Sequence, residues 1–462
     1  MENEKRITII GGGASGTLLA INLLRQSGDR KLAVDLIEKR ESVGRGVAYS
    51  TADDCHLLNV PAAKMGAFPD DVEHFHRWLV ENGFDYSPAS FVPRKIFGDY
   101  LSSQLAIAVR EKTPAASFEA WPDEAVDIDA NGNTGQVKLG SGETLSSDRV
   151  ILAFGNSLPP HPSVDDLGFA DAPKYFRDPW SPSVRDLVAP DDSVFIIGTG
   201  LSMVDFAMRF HRSGHRGQIY AISTRGLLPA VHKLGSTYPS FADEIRSMTR
   251  ITDVLKSVRG HIENAANDGS DWRAVIDVLR PNTQEIWLNL PVAEKRYFMQ
   301  HLSRYWNVAR HRMPAEAAAV IDELKASGQL TVMKGRLRSI DARSGRFDIA
   351  FHTEGVLANI QADAVINCIG SESNFERLES PLVKNLISRG LIRNDSLSLG
   401  LDATPDGRLI GKTGEPSDVL LTLGTALKGV LWESTAIPEI RSQAKALAES
   451  LLADLHQTRT VN

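Results

Sequence analysis

Cysteine is nearly absent. Cys55 and Cys368 are the only two in 462 residues, so neither a disulfide framework nor a CxxC pair can be drawn. No apolar run is long enough to cross a bilayer. The one near the N-terminus is short and rich in glycine, and no signal-peptide cleavage pattern follows it. No His/Cys/Asp/Glu group has metal-ligand spacing, no Ser/His/Asp arrangement stands out, and no tract is of low complexity. An excess of positive charge is missing too: 51 Lys and Arg stand against 58 Asp and Glu, a net charge of −7. That balance argues against nucleic acid or an anionic membrane as partner. With 42% hydrophobic and 24% charged residues, the composition is that of a globular protein. The length suits two or three domains, each with its own core. The expectation is a soluble cytoplasmic protein of unassigned oligomeric state.

Glycine is where it would be needed. Residues 7–19 read ITIIGGGASGTLL: an apolar strand ending at Ile10, a glycine turn, then helical spacing through Leu24. Gly11, Gly13 and Gly16 form Gly-x-Gly-x-x-Gly. The first permits the turn, the second lets a pyrophosphate approach the backbone, and the third lets helix pack on strand. Ala14 and Ser15 open the helix, where free N–H groups and the macrodipole favour phosphate. LAVDLIEKR supplies the next strand, and Glu38, 22 residues beyond Gly16, stands where an acidic side chain binds a ribose hydroxyl.

The plan then repeats. After a meander over 117–143 with a turn at Asn131-Gly132, the strand RVILAFGN ends in Gly155. SVFIIGTGLSMVDFAMRF (193–210) is again strand, glycine turn and helix, and GQIYAISTRG is again the following strand. Residues 336–361 suggest a second meander, and DAVINCIG ends in Gly370. This duplication predicts an α/β protein with two Rossmann-like dinucleotide-binding domains, β-meanders and a helical insert. The boundaries read as 1–185, then 186–345 with the insert at 232–328, then a return to the first domain over 346–462. The segment PAEAAAVIDELKASG is an amphipathic helix stopped by Gly328.

In the second fingerprint, Gly198 and Gly200 are present, Ser202 follows, and Met203 replaces the third glycine. The next strand ends Ser223-Thr224-Arg225, with no acidic residue. Hydroxyls and a guanidinium suit the 2′-phosphate of NADP. Two such units in one chain point to FAD on the first and NADPH on the second, with NADH as the alternative, in a relay of reducing equivalents.

The motifs GGGASG, VGRGVAYST, HLLNVPA, FVPRKIFGDYL, VILAFGN, IIGTGLSMVD, STRGLLP, RYWNVARHRMP, VINCIG and LGTALKGVLWESTAIPEIR span nearly the whole chain. Together they resemble the two-dinucleotide-binding-domain flavoproteins, flavin monooxygenases and disulfide reductases among them. More closely, they are similar to a bacterial family of FAD/NAD(P)-binding proteins that includes FAD-dependent urate hydroxylase. The resemblance implies that Gly11, Gly13, Ser15, Gly16, Glu38 and Lys39 hold the FAD pyrophosphate and ribose. It places Gly46, Leu58, Asn59 and Val60 along the flavin, and has Gly155 and Gly370 end strands returning toward the cofactors. It has Gly424 and Gly429 open the C-terminal helix, and Gly198, Gly200, Ser202 and Arg225 hold NADPH.

A disulfide reductase of this plan needs a cysteine pair, which the chain lacks. A monooxygenase does not, because reduced flavin itself reacts with O₂ to give a C4a-(hydro)peroxide in a dry pocket with hydrogen-bond donors, for which Asn59 is a candidate. The stretch FVPRKIFGDYL also resembles, more loosely, a region of N-hydroxylating flavoproteins that oxidise ornithine or lysine side chains. The expected function is therefore NAD(P)H-dependent hydroxylation of a small polar or anionic metabolite. The alternatives are N-hydroxylation of an amine and a flavin-binding redox sensor without turnover. For the substrate, the arginine- and aromatic-rich stretch RYFMQHLSRYWNVARHRM offers Arg304, Arg310 and His311. Read as one helix, it puts Arg304 and His311 on one face. His232 is a candidate proton shuttle.

Overall fold

The computed structural model describes residues 4–40, 42–233 and 235–457. Its first sheet has six strands in the order Arg408–Ile410, Pro416–Thr422, Arg149–Leu152, Lys5–Ile10, Leu32–Ile37, Ala116–Trp121. All neighbours are parallel except the outermost pair, 408–410 with 416–422. The central strands read as continuous apolar runs because both sheet faces are covered. Ile7, Ile9, Leu18 and Leu19 pack with Leu447 and Leu451 of the long helix Ile437–Gln457 on one face. Leu152 packs with Ile128 and Val137 of a meander on the other.

The second sheet is parallel throughout, in the order Leu330–Lys334, Ile219–Ser223, Val194–Ile197, Ala364–Asn367, Tyr175–Phe176. Each sheet has its own three-stranded antiparallel meander, over Ala125–Ser147 and Arg336–Ala362.

Sheet membership departs from the sequence reading in three places. The return to the first unit, expected at 346, comes after Asn367, because Phe347, Ile349 and Phe351 share a core with Phe195 and Ile197 of the second sheet. Tyr175–Phe176, expected before the boundary at 185, pairs with the second sheet. Ala116–Trp121, expected within the first meander, instead forms the parallel edge of the first sheet against Leu32–Ile37.

The insert is helical, as expected. Its apolar cluster, with Phe241, Val275, Trp287 and Phe298, closes on Trp432 of the C-terminal segment. The arginine-rich stretch is two helices rather than one, Val292–His301 and Ser303–Arg310, broken at Leu302. The helix Ala315–Ala326 ends as anticipated, with Gly328 at φ +77 just beyond it. No helix of the described residues is long and apolar enough to cross a membrane.

Candidate dinucleotide and substrate sites

The two glycine turns are built to one design. In the first, the Gly11 N–H donates to Ile37 O and the Ala153 N–H to Ile10 O, both at 2.9 Å. In the second, the Gly198 N–H donates to Ile222 O and the Cys368 N–H to Ile197 O, both at 2.8 Å. Gly11 and Gly198 have φ of +110 and +115, and a Cβ on either would strike the carbonyl of Ala153 or Cys368. Only glycine meets both demands. The helices that follow, Ala14–Gln26 and Leu201–Arg212, have no acidic first turn and no side-chain N-cap. Their leading N–H groups and dipoles are left to an anion. Gly16 lets Gly11 O approach the helix. Met203, its counterpart, is fully buried in the second core.

Around the first turn, Glu38 accepts from the Gly12 N–H at 2.9 Å through Oε2 and from the Arg40 N–H at 3.0 Å through Oε1. The exposed Lys39 pairs with Glu124 at 2.8 Å. Gly46, at φ +54, packs against Gly13, and the Gly44 N–H donates to Gly12 O at 2.8 Å, so this loop lies on the turn. A cavity of about 1,120 Å³ runs from Gly11, Glu38 and Lys39 past Gly155 to Ser202 and Gly370. It runs from the first turn to the helix that follows the second. A Cβ on Gly155 or Gly370 would meet no atom within 4 Å.

Arg94 also lines that cavity. Its Nε donates to Leu57 O at 3.0 Å, and its guanidinium lies 5.7 Å from the Trp180 ring. Its Nη2 is 2.8 Å from Oδ2 of Asp205, on the helix of the second turn. Burial raises the Asp205 carboxyl to about 6, against the pull of Arg94. His56 stands alongside, neutral, lowered to about 4 mainly by burial. Its Nδ1 is 2.7 Å from Thr51 Oγ1, while Asp53 stays 3.9 Å from its Nε2. Sequence reading missed Arg94 and Asp205, although a lone acid inside the apolar run LSMVDFAMRF was a usable signal.

At the second turn, strand register puts Ile222 beside Ile197 as Ile37 sits beside Ile10. Ser223 therefore occupies the position of Glu38. Its Oγ accepts from Thr199 Oγ1 at 2.8 Å and from the Gly226 N–H at 3.0 Å. A pocket of about 260 Å³ opens beside it, lined by Arg225, Arg304, Lys334 and Arg336, with Glu354 the one carboxylate among its walls. None of the four cations has an ion-pair partner among the described residues. Arg304, expected beside His311, is here instead, because the helix ends at Arg310 and His311 turns away from its face.

Of the remaining candidates, His232 meets Asn59, and Arg310 stands where the insert closes on the C-terminal segment. The His232 ring donates from Nε2 to Asn59 O at 3.0 Å and lies 4.9 Å from the Phe91 ring. Leu58 and Val60 are buried on either side of Asn59. His232 is pushed down mainly by burial, with Arg312 and Arg310 adding to the effect. His311 is pushed down to about 3 by burial and then by Arg310, Lys428 and Arg280. Arg310 pairs with Glu433 at 3.2 Å and approaches Glu439 at 3.8 Å, and Arg280 holds Glu439 through two bonds of 2.7 and 3.0 Å.

Gly424, at φ +76, abuts Ser15 and donates its N–H to Gln443 Oε1 at 2.9 Å. It opens a short 3₁₀ turn rather than the C-terminal helix, which begins at Ile437. Gly429 makes room for the Asp395 carboxylate, so a bulky neighbour within the chain accounts for its lack of a side chain.

Residues 8–157 match the family model described as FAD-NAD(P)-binding. An uncharacterised protein of Mycobacterium tuberculosis is 23% identical, covering 97% of this chain and 95% of that one. Among solved structures, ornithine hydroxylase from Pseudomonas aeruginosa has a TM-score of 0.63 at 16% identity, over 98% of this chain and 99% of the other. L-lysine 6-monooxygenase from Pseudomonas syringae has a TM-score of 0.63 at 14% identity, over 98% and 100%. The chain thus has the fold of FAD- and NADP-binding oxidoreductases. The free helix N-termini, the glycine cradles and the acid-free second strand fit two dinucleotides.

Proposed function

We propose that this protein is an NADPH-dependent flavoprotein monooxygenase acting on a small polar or anionic metabolite, in the cytoplasm, with FAD on the first glycine turn and NADPH on the second. The observation that carries this reading is the pair of matched turns, one opening beside a carboxylate on a cavity that reaches Ser202 of the second helix, the other beside four cations without an ion pair among the described residues. FAD, when bound, takes two electrons from NADPH and, once reduced, activates O₂. The chain's own residues do the rest. Gly11, Gly13, Ala14, Ser15 and Gly16 would take the FAD pyrophosphate, and Glu38 its ribose. Gly198, Gly200 and Ser202 would take the NADPH pyrophosphate, and Arg225 the 2′-phosphate. Leu58 and Val60 exclude water. His232 carries its hydrogen on Nε2, bonded to Asn59 O, which leaves Nδ1 as the atom to accept a proton. The sequence resemblance to the family that includes FAD-dependent urate hydroxylase supports this reading.

N-hydroxylation of an amine is the second reading, supported by the fold shared with the ornithine hydroxylase and the L-lysine 6-monooxygenase. Purified protein should be yellow, bleach with NADPH, and reoxidise in air with hydroxylated product when its substrate is present. Reoxidation that yields only hydrogen peroxide across a metabolite screen would sink both oxygenase readings. Failure to bind flavin would sink the whole proposal.

A further inference from the structure

Buried polar groups in native proteins are almost always hydrogen-bonded, so a concentration of unbonded ones marks a place built for something else. Nine side-chain polar atoms of the described residues are buried without a hydrogen-bond partner. Five of the nine belong to the junction of insert and C-terminal segment: Trp306 Nε1, Arg310 Nε, Glu433 Oε1, Ser434 Oγ and Arg441 Nε, while Gln443 Nε2 lies toward the first turn, where its Oε1 holds the Gly424 N–H. Three of these are N–H donors, one is an acceptor, and the serine can act as either. A molecule satisfying them must be rich in acceptors.

Charge points the same way. Arg280, Arg310, Arg441 and Lys428 converge here, against Glu433 and Glu439. The Arg310 and Glu433 side chains are 10% and 5% exposed. Lys428 has no ion pair among the described residues and sits 5.6 Å over the Trp432 ring. Arg441 spends its Nη1 on Lys64 O and Gly66 O, at 3.1 and 2.8 Å. Neighbouring charges do not correct the imbalance. Arg312 and Asp277 pair with each other at 2.9 Å, and Asp395, across Gly429, accepts from the amides of Leu397 and Leu399. Buried charge left uncompensated is costly, and burial already pushes Arg310, Lys428 and Arg441 below their usual range. The uncharged His311 ring adds no counter-charge.

We infer that this junction, formed by Trp306, Arg310, Lys428, Glu433 and Ser434, seats the substrate of the oxygenase, and that the substrate is a small acceptor-rich carboxylate rather than an alkylamine. The inference rests on the oxygenase reading and decides between its two forms. An ammonium brought to this site meets four cations and a surplus of donors. An anion neutralises the excess and accepts the free N–H groups. The orphaned Glu433 Oε1 takes the one donor that such a molecule, or a bridging water, provides.

The probes are benzoate, benzamide and benzamidine, which share a shape and differ in charge. They are titrated into flavin-loaded protein and followed by the flavin absorbance shift and by thermal stabilisation. Benzoate should bind at least tenfold more tightly than benzamide, with benzamidine weakest. Lys428→Met should remove most of that preference while flavin content and unfolding temperature without probe stay near wild type. Arg310→Lys, which keeps charge but loses the Nε donor, should weaken benzoate less than Lys428→Met does. Tighter binding of benzamidine, equal binding of the three, or an unchanged preference in Lys428→Met overturns the inference. So does benzoate binding to apoprotein but not to loaded protein, because the flavin itself would then be filling these groups. Thermal stabilisation by benzoate requires no turnover, so a protein that binds anions here yet never reduces its flavin refutes the oxygenase reading alone.

Discussion

At the scale of single residues, much of the binding chemistry is carried by side chains that are absent or uncharged. Gly11 and Gly198 were legible from spacing alone, because the turn demands both a left-handed backbone and a missing Cβ. His56 was not legible. Nothing in HLLNVPA says that its imidazole is 3% exposed with Nε2 unbonded, since that depends on Trp180 and Arg94, remote in sequence. Its consequence for stability has a definite sign. In the unfolded chain it titrates near 6.5 and in the fold near 4, so below 6.5 the unfolded state takes up the proton first. Stability is lost as pH falls from 6.5 toward 4, by about 3 kcal/mol. Asp205 acts oppositely: raised to about 6, it takes up its proton earlier in the fold and returns part of that loss below pH 6. Urea midpoints at about pH 7.5 and about pH 4.5 should therefore differ less in His56→Asn than in wild type. An equal or larger difference contradicts the neutral buried ring.

At the scale of elements, the helix Ser303–Arg310 reaches two places. Arg304, near its start, lines the cationic pocket with Arg225, and Arg310, its last residue, pairs with Glu433. Sequence periodicity located the helical stretch but ran it through Leu302 and past Arg310. Spacing alone does not show where a backbone turns, and Leu302, at the break, packs into the insert cluster that closes on Trp432. On the proposed reading of that pocket, the helix helps to choose the coenzyme. Guanidinium–phosphate bonds are charge-assisted and strong, so Arg304→Ala and Arg225→Ala should each weaken NADPH about tenfold, roughly 1.4 kcal/mol, with little effect on NADH. Ser223→Glu, which restores the acid of the first unit, should push preference further toward NADH. Steady-state KM values for the two coenzymes check all three. Equal losses for both coenzymes retire the phosphate assignment.

At the scale of the whole molecule, the duplication was visible in the sequence and the division between units was not. Two glycine fingerprints can be counted in a string. That Phe347 and Phe351 serve the second core, or that Asp205 of one unit reaches Arg94 of the other, follows only from how the sheets are joined. The Arg94–Asp205 pair, with side chains 16% and 9% exposed, bridges the helix of the second turn to the wall of the shared cavity. Asp205→Asn leaves a guanidinium unpaired in a largely buried place, at a cost of about 3 kcal/mol. Beyond that loss, it should slow NADPH-dependent flavin bleaching in stopped-flow while NADPH affinity, which the proposed reading sets at the cationic pocket, changes little. A fall in affinity with an unchanged limiting rate contradicts a role in aligning the two units.

The first sheet is interrupted. Its strand Arg149–Leu152 waits for Pro416–Thr422 as its outer neighbour, while the strands from Val194 to Asn367 pair largely among themselves. During synthesis the earlier half thus emerges with an open edge, and the later unit can close before that edge is covered. An unpaired parallel edge is an invitation to another chain. A ribosome that stalls between Asn367 and Pro416 would release a product with its first sheet unfinished and adhesive, which makes that stretch of translation a vulnerable one for this molecule.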